Sequence, residues 1–185
     1  MQETPDASDE TLLAQWLAGD EEAFERLFRR LHPPLVRHLA RMLDDAAGAE
    51  DVVLETFVRL HEHRDRVRPG EPLRPFVWTI ARNLARNRIR AQRLWGWLPL
   101  ASLDAEPPTT SRTGVDPGLE RRVRAAFASL PTAQREVCSL RLLGELPLEE
   151  IAQVTGVSLG TVKSRLHHGL RRLREALRDL EPGKE

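Results

Sequence analysis

The apolar residues of this chain recur at intervals of three and four, in two stretches parted by one segment where that rhythm stops. Val162, Leu166, Leu170, Leu173, Leu177 and Leu180 follow a 4-4-3-4-3 spacing, and Phe24, Leu27, Phe28, Leu31 and Leu35 share a face in the same way. Such a period lines side chains along one stripe of an α-helix and would scatter them over both faces of a strand. No strand-like alternation stands out, there is no Tyr, and Leu, Arg, Ala and Glu, all good helix formers, dominate. The expected fold class is all-α.

The interruption divides the 185 residues into two small helical domains joined by a flexible linker, the C-terminal one containing a helix-turn-helix. Residues 96–118, GWLPLASLDAEPPTTSRTGVDPG, are rich in Pro, Gly, Ser and Thr and lack a helical period. The domains span about 8–95 and 119–181. In the first, Ser8 caps a helix with Asp9 and Glu10 in its first turn and Leu12, Leu13, Trp16 and Leu17 on its apolar face. Gly19 ends it and Asp20 caps the next. Pro33 and Pro34 should bend or break that second helix, which resumes through Leu39 and Met42. A third helix, about 48–62, turns Val52, Val53, Phe57 and Leu60 inward. Pro69, Gly70 and Pro72 mark a loop, and Pro75 opens a helix running to about Leu94. In the second domain Leu119, Val123 and Phe127 are spaced by four. Thr132 caps a helix ending near Leu143, with Gly144 at its C-terminal position. A short helix follows over 148–155, and a last one runs from Ser158 to about Leu180.

Formal net charge is zero, but the average conceals a pattern. Residues 1–25 carry eight acids and no Lys or Arg, residues 82–93 five Arg and no acid, and residues 163–178 six Lys or Arg against one Glu. The basic parts point to a nucleic-acid partner. Cys138 stands alone in an apolar stretch, which excludes an internal disulfide, fits a reducing cytoplasm and makes it a small core residue. The acidic N-terminus lacks an apolar signal segment, and no apolar run reaches the roughly 18 residues of a membrane span.

LEEIAQVTGVSLGTVKSRLHHGLRRLR carries the clearest local signal. Two helices flank a tight Gly156–Val157 turn, Ala152 is small where they cross, and Ile151, Val157 and Val162 supply a shared core. This geometry presents a second helix to the DNA major groove. Ser158 caps it, and Lys163, Arg165, His167, His168, Arg171 and Arg172 lie off its apolar stripe. Gly156 to Gly160 also matches the G-x-S-x-G elbow of hydrolases. That elbow needs a preceding strand, and Glu149 to Thr155 has a helical period, so Ser158 is read as a cap and not as a nucleophile. His61 and His63 flank Glu62 without further ligands to complete a metal set. No catalytic residue, metal or cofactor is expected.

In the first domain Arg82, Arg86, Arg90 and Arg93 fall at i, i+4, i+8 and i+11, one cationic stripe on an uninterrupted helix. Asn83 and Asn87 flank it, and Trp78, Trp95 and Trp97 are close in sequence. Cations with amides and aromatics suit single-stranded nucleic acid; Trp core residues and solubilising Arg residues are the plainer reading. Glu50, Asp51 and Glu55 make an acidic face beside Val52, Val53 and Leu54, suited to a basic protein surface or to water.

Both halves resemble one family, the extracytoplasmic-function sigma factors. GDEEAFERLFRRLHPPLVRHLARMLDDAAGAEDVVLETFVRLHEHRD is similar to the family's opening helices, and FVWTIARNLARNRIR to its promoter-melting segment. SLPTAQREVCSLRLLGELPLEEIAQVTGVSLGTVKSRLHHGLRRLR is similar to its promoter-binding domain. The resemblance implies a chain that binds RNA polymerase core through the β and β′ subunits and confers promoter specificity. Asp51, Leu54, Glu55 and Phe57 would dock on the β′ clamp. Arg82, Asn83, Arg86, Asn87 and Arg90 would hold the melted minus-ten element of promoter DNA, with a flipped base beside Asn83, in a place that is often a loop in this family. Ser158, Thr161, Lys163, Ser164, Arg165, His167, His168 and Arg171 would face the minus-thirty-five element. The resemblance further implies an anti-sigma factor as inhibitor.

The sequence departs from the family at Leu54, where Gln is usual, at Thr79 and His168, which replace frequent basic residues, and at Pro147, which replaces a frequent Ser. An imidazole, mostly neutral at pH 7, does not reproduce an Arg fork. The competing reading is a self-sufficient helix-turn-helix transcriptional regulator with an N-terminal sensing domain, which would bind DNA without polymerase.

Overall fold

The structure, a computed structural model, describes residues 7–68, 70, 72–95 and 116–178, without the side chains of 93–95 and 117. These residues form eight α-helices and one 3-10 turn, and no strand occurs among them. Ser8 Oγ accepts from the Thr11 N–H and caps α1 (Asp9–Leu17). Asp20 Oδ1 accepts from the Glu22 and Ala23 N–H groups and caps α2 (Glu21–Leu43). Each satisfies amides that have no helical partner, worth about 1 kcal/mol per cap.

α2 corrects an expectation. It runs unbroken through Pro33 and Pro34, although the two rings remove the donors to the Arg29 and Arg30 carbonyls. Burial outweighs that loss: Leu27, Leu31, Leu35 and Leu39 are fully enclosed at successive turns, and Pro34 is itself buried. Asp44, at φ 55°, closes the helix. Asp45 Oδ1 caps α3 (Ala46–Glu62) through the Gly48 N–H. A 3-10 turn at Arg64–Arg66 leads to α4 (Leu73–Trp95), with Pro75 in the first turn, where a backbone N–H has no helical acceptor. Trp16, Phe24, Phe28 and Phe57 knit the α1–α3 core, with ring centroids 4.7 to 6.1 Å apart.

The second unit begins with α5 (Pro117–Ala128), capped by Asp116, so the helix starts two residues before the expected boundary. In α6 (Thr132–Leu142), Thr132 is the first helical residue and not the cap; Pro131 holds the cap position and no side chain accepts there. α7 (Leu148–Thr155) and α8 (Leu159–Ala176) follow. Of the expected α8 stripe, Val162 and Leu173 are buried, while Leu166, Leu170 and Leu177 are half-buried; Leu180 lies outside the described residues. The stripe omits Gly169, which is buried and lets α6 and α8 approach so closely that a Cβ there would overlap Cys138 Sγ. Cys138 is fully enclosed, and burial pushes its thiol up to about 11.

The two units pack into each other, α4 against α7 and α2 against α6. One core runs from Leu12 and Trp16 in α1 through Trp78 in α4 to Leu140, Leu146, Ile151 and Val162. Gly144 sits at the join. A Cβ there would lie 2.8 Å from the Leu140 carbonyl and 3.0 Å from Trp78 Nε1. The residue with left-handed backbone in this turn is Glu145, at φ 59°, so Gly144 is needed for close approach and not as the expected helix terminator.

Candidate nucleic-acid interface

The α7–α8 pair is built as a helix-turn-helix. Gly156, at φ 70°, ends α7, and Ser158 Oγ accepts from the Thr161 N–H to start α8. Ile151 and Val162 are buried, with Ala152 and Val157 half-buried beside them. Because α7 is a helix, the G-x-S-x-G match lacks its strand, and Ser158 serves as a cap. Ser158, Lys163, Ser164, His167, His168 and Arg171 are exposed on α8, and Thr161 and Arg165 are half-buried. The exposed side chains lie on the solvent-facing side of the helix. At α7, Pro147 holds the cap position without a capping hydrogen bond, and Glu149 and Glu150 occupy the first turn, favourable to the dipole.

α4 is an unbroken helix, which sets Arg82, Arg86 and Arg90 along one side of it. Arg82, Arg86 and Arg90 line one cavity of about 500 Å³ together with Ile89, Glu136 and Arg165. Asn83 and Asn87 are exposed. The side chains of Arg93 and Trp95, and all of Trp97, lie outside the described residues. Trp78 is 1% exposed and packs between the two units, so it offers no stacking platform. Thr79 Oγ1 donates to the Pro75 carbonyl at 2.7 Å within its own helix.

Arg82 differs from the other stripe members. Its Nε lies 2.6 Å from Glu136 Oε1 on α6, with the two side chains 15% and 11% exposed. Nearby, His38 of α2 is fully buried with its Nδ1 2.8 Å from Ser139 Oγ. Burial, with a further push from the Arg82 charge, lowers its pKa to about 3. The convergence of Glu136 and Arg165 on the Arg stripe has no local sequence signal, since it depends on how distant helices pack.

On α3, Asp51, Leu54 and Glu55 are exposed, and Glu55 pairs with Arg59 at 2.7 Å. Asp51 lies 3.4 Å from Arg88. Phe57 is a correction: it is 4% exposed, held among Phe24 and Phe28, and presents no surface to a partner. The position that joins Leu54 at the surface is Val58, four residues on; they are 51% and 54% exposed. An apolar pair at i, i+4 lying off the inward stripe is the signal that would have identified it.

Comparison with known proteins gives the same division. Residues 27–94, which hold α4 up to Leu94, match sigma-70 region 2, and residues 120–173, which hold α6, α7 and α8 up to Leu173, match sigma-70 region 4. RNA polymerase sigma factor CarQ of Myxococcus xanthus is 36% identical, over 88% of this chain and 94% of its own length. ECF RNA polymerase sigma factor SigW of Bacillus subtilis is 30% identical, over 88% and 92%. The structure of CnrH in complex with the cytosolic domain of CnrY superimposes with a TM-score of 0.69 at 27% identity, covering 94% of this chain and 98% of that one. No described helix is long and apolar enough to cross a membrane. Two sigma-70 regions in this order, and relatives matched over almost their whole length, favour the polymerase-dependent reading over a self-sufficient regulator, and the chain belongs to the extracytoplasmic-function sigma factors.

Proposed function

We propose that this chain is an alternative sigma factor that binds core RNA polymerase through its β and β′ subunits in the cytoplasm and directs promoter-specific initiation, with no catalysis or cofactor of its own. Residues 8–95 dock on polymerase and trap the opened minus-ten strand; residues 119–181 read the minus-thirty-five duplex; residues 96–118 link them. The observation that carries the reading is a pair of basic helices, α4 and α8, each lying almost wholly in its own sigma-70 region.

Asp51, Leu54 and Glu55 on α3 supply the polymerase contact, an apolar spot with acids beside it that suits a basic clamp surface. Arg82, Arg86 and Arg90 neutralise phosphates, while Asn83 and Asn87 offer amide donors and acceptors to an unstacked base. A strand held this way exists only in the open duplex. Binding it therefore shifts the closed–open equilibrium by the difference in affinity for the two states. On α8, Ser158, Thr161, Lys163 and Ser164, at the helix start, face base edges and phosphates, and Arg165, His167, His168 and Arg171 meet the backbone further along. His168 brings a single imidazole edge, which does not make the bidentate contact of an Arg fork. An anti-sigma factor is a further partner, supported by the likeness in fold to the sigma factor RpoE of Bartonella quintana in its complex with the anti-sigma factor NepR.

The test is co-elution of the purified chain with bacterial core polymerase on a sizing column at moderate salt. Stoichiometric co-elution is expected. A folded chain that ignores core polymerase yet binds duplex DNA tightly would overturn the proposal.

A further inference from the structure

The cavity of about 500 Å³ where α4, α6 and α8 converge is walled by four guanidinium groups: Arg82, Arg86 and Arg90 from one sigma-70 region and Arg165 from the other. Among the described residues one acid lines it, Glu136, whose Oε1 lies 2.6 Å from Arg82 Nε. That carboxylate is engaged by Arg82. Arg86, Arg90 and Arg165 make no hydrogen bond or ion pair with any described residue. Four arginines against one glutamate leave an excess of three positive charges on one wall, and like charges gathered in a concave space repel one another unless an anion joins them.

The start of α6 faces the same space. Thr132 and Ala133, its first two residues, line the cavity. No side chain caps this helix and its first turn holds no acid. The Thr132 and Ala133 N–H groups therefore have no acceptor among the described residues, and the positive end of the helix dipole is uncompensated. These amides add donors to a site that the arginines define.

The donors set the ligand class. An arginine fork matches two oxygens of a phosphate, and a single phosphate group, at about −2, does not balance three cations. The half-buried Ile89 and Val157 supply apolar wall beside the charges, and the volume lies within the roughly 300–1,000 Å³ of small-molecule sites.

We propose that this cavity binds a small polyphosphate, a pyrophosphoryl group either free or carried on a nucleotide, held by Arg86 and Arg90 of α4 and Arg165 of α8. The site stands on the cavity whether or not α4 also holds DNA.

The test titrates the full chain by isothermal calorimetry with sodium pyrophosphate, sodium orthophosphate and ADP, in magnesium-free buffer at fixed ionic strength. Pyrophosphate should bind at a single site, about tenfold or more tightly than orthophosphate, and raise the melting temperature as its concentration rises. Arg86→Ala and Arg165→Ala, which remove cations from different regions, should each weaken it about tenfold or more. Arg174→Ala, an exposed cation of α8 outside the cavity, should leave it unchanged. Arg86 is exposed, so Arg86→Ala should melt like the parent without ligand, and lost affinity there reports the site and not the fold. ADP binding more tightly than pyrophosphate makes the natural ligand a nucleotide; ADP binding more weakly makes it an inorganic polyphosphate. Equal affinity for orthophosphate and pyrophosphate, full affinity in Arg86→Ala or Arg165→Ala, or an equal loss in Arg174→Ala overturns the proposal.

Discussion

His38 Nδ1 lies 2.8 Å from Ser139 Oγ, a side-chain hydrogen bond sealed from solvent between α2 and α6. Ser139 Oγ also donates to the Glu136 carbonyl at 3.1 Å, so its lone pair accepts from a neutral ring protonated at Nδ1. With its pKa lowered from 6.5 to about 3, mainly by burial, His38 binds fewer protons in the folded chain than in the unfolded one. Its contribution to stability is complete above pH 6.5 and declines as pH falls from 6.5 toward 3. Between pH 7 and pH 5 the loss is about 2 kcal/mol. Denaturant unfolding at both pH values, for the parent and for His38→Asn, isolates this term because other titrating groups cancel in the difference. A stability gap between the two proteins that does not change with pH would sink the assignment.

Gly169→Ala should destabilise the second unit by about 1–3 kcal/mol, because the new methyl overlaps Cys138 Sγ and forces α6 or α8 to shift. Adding Cys138→Ala should recover part of that loss. Thermal melts of the single and double variants give the comparison, and additive losses would show that the two residues do not meet.

Phe57 and Leu54 are three residues apart and should behave oppositely. Phe57→Ala empties part of an aromatic cluster and should cost about 3–5 kcal/mol of stability. Leu54→Lys, at a half-exposed position, should change stability by no more than about 0.5 kcal/mol while weakening polymerase binding roughly tenfold or more. Urea melts and a titration against core polymerase separate the two effects. Full polymerase affinity in Leu54→Lys would remove α3 from the docking surface.

Lys163→Ala and Arg171→Ala act on exposed cations of α8. Each should lower the slope of log affinity against log salt for upstream duplex DNA by about 1. Identical slopes in parent and variants would take α8 off the phosphate backbone. Ser158→Ala should instead cost about 1 kcal/mol of stability through the lost cap.

Cys138 should resist alkylation in the native chain, since a buried thiol titrating at about 11 carries almost no thiolate at neutral pH. Labelling should appear only as denaturant unfolds the second unit, followed by mass spectrometry. Rapid labelling of the folded chain would contradict the packing at Gly169.

The helices were legible because their signals are local. Ser8, Asp20 and Ser158 cap the helices that their positions announced, and the i, i+4, i+8 Arg spacing put three guanidinium groups on one cavity. Where local rules misled, a long-range term outweighed them. Pro33 and Pro34 remain inside α2 because buried Leu residues on both sides hold the turn. Family position puts Phe57 on a docking surface, whereas its spacing with Val53 and Leu60 turns it inward, as its burial shows.

The sequence by itself determined the helical class, the order of the two units, the helix-turn-helix and the charge of α4 and α8, since each follows from contacts within a turn or two of chain. Only the tertiary structure decided that Arg82 meets Glu136, 54 residues away, and that His38 meets Ser139, 101 residues away. Such pairs have no period. They arise when Gly144 lets Trp78 approach and helices distant in sequence close on one shared apolar core.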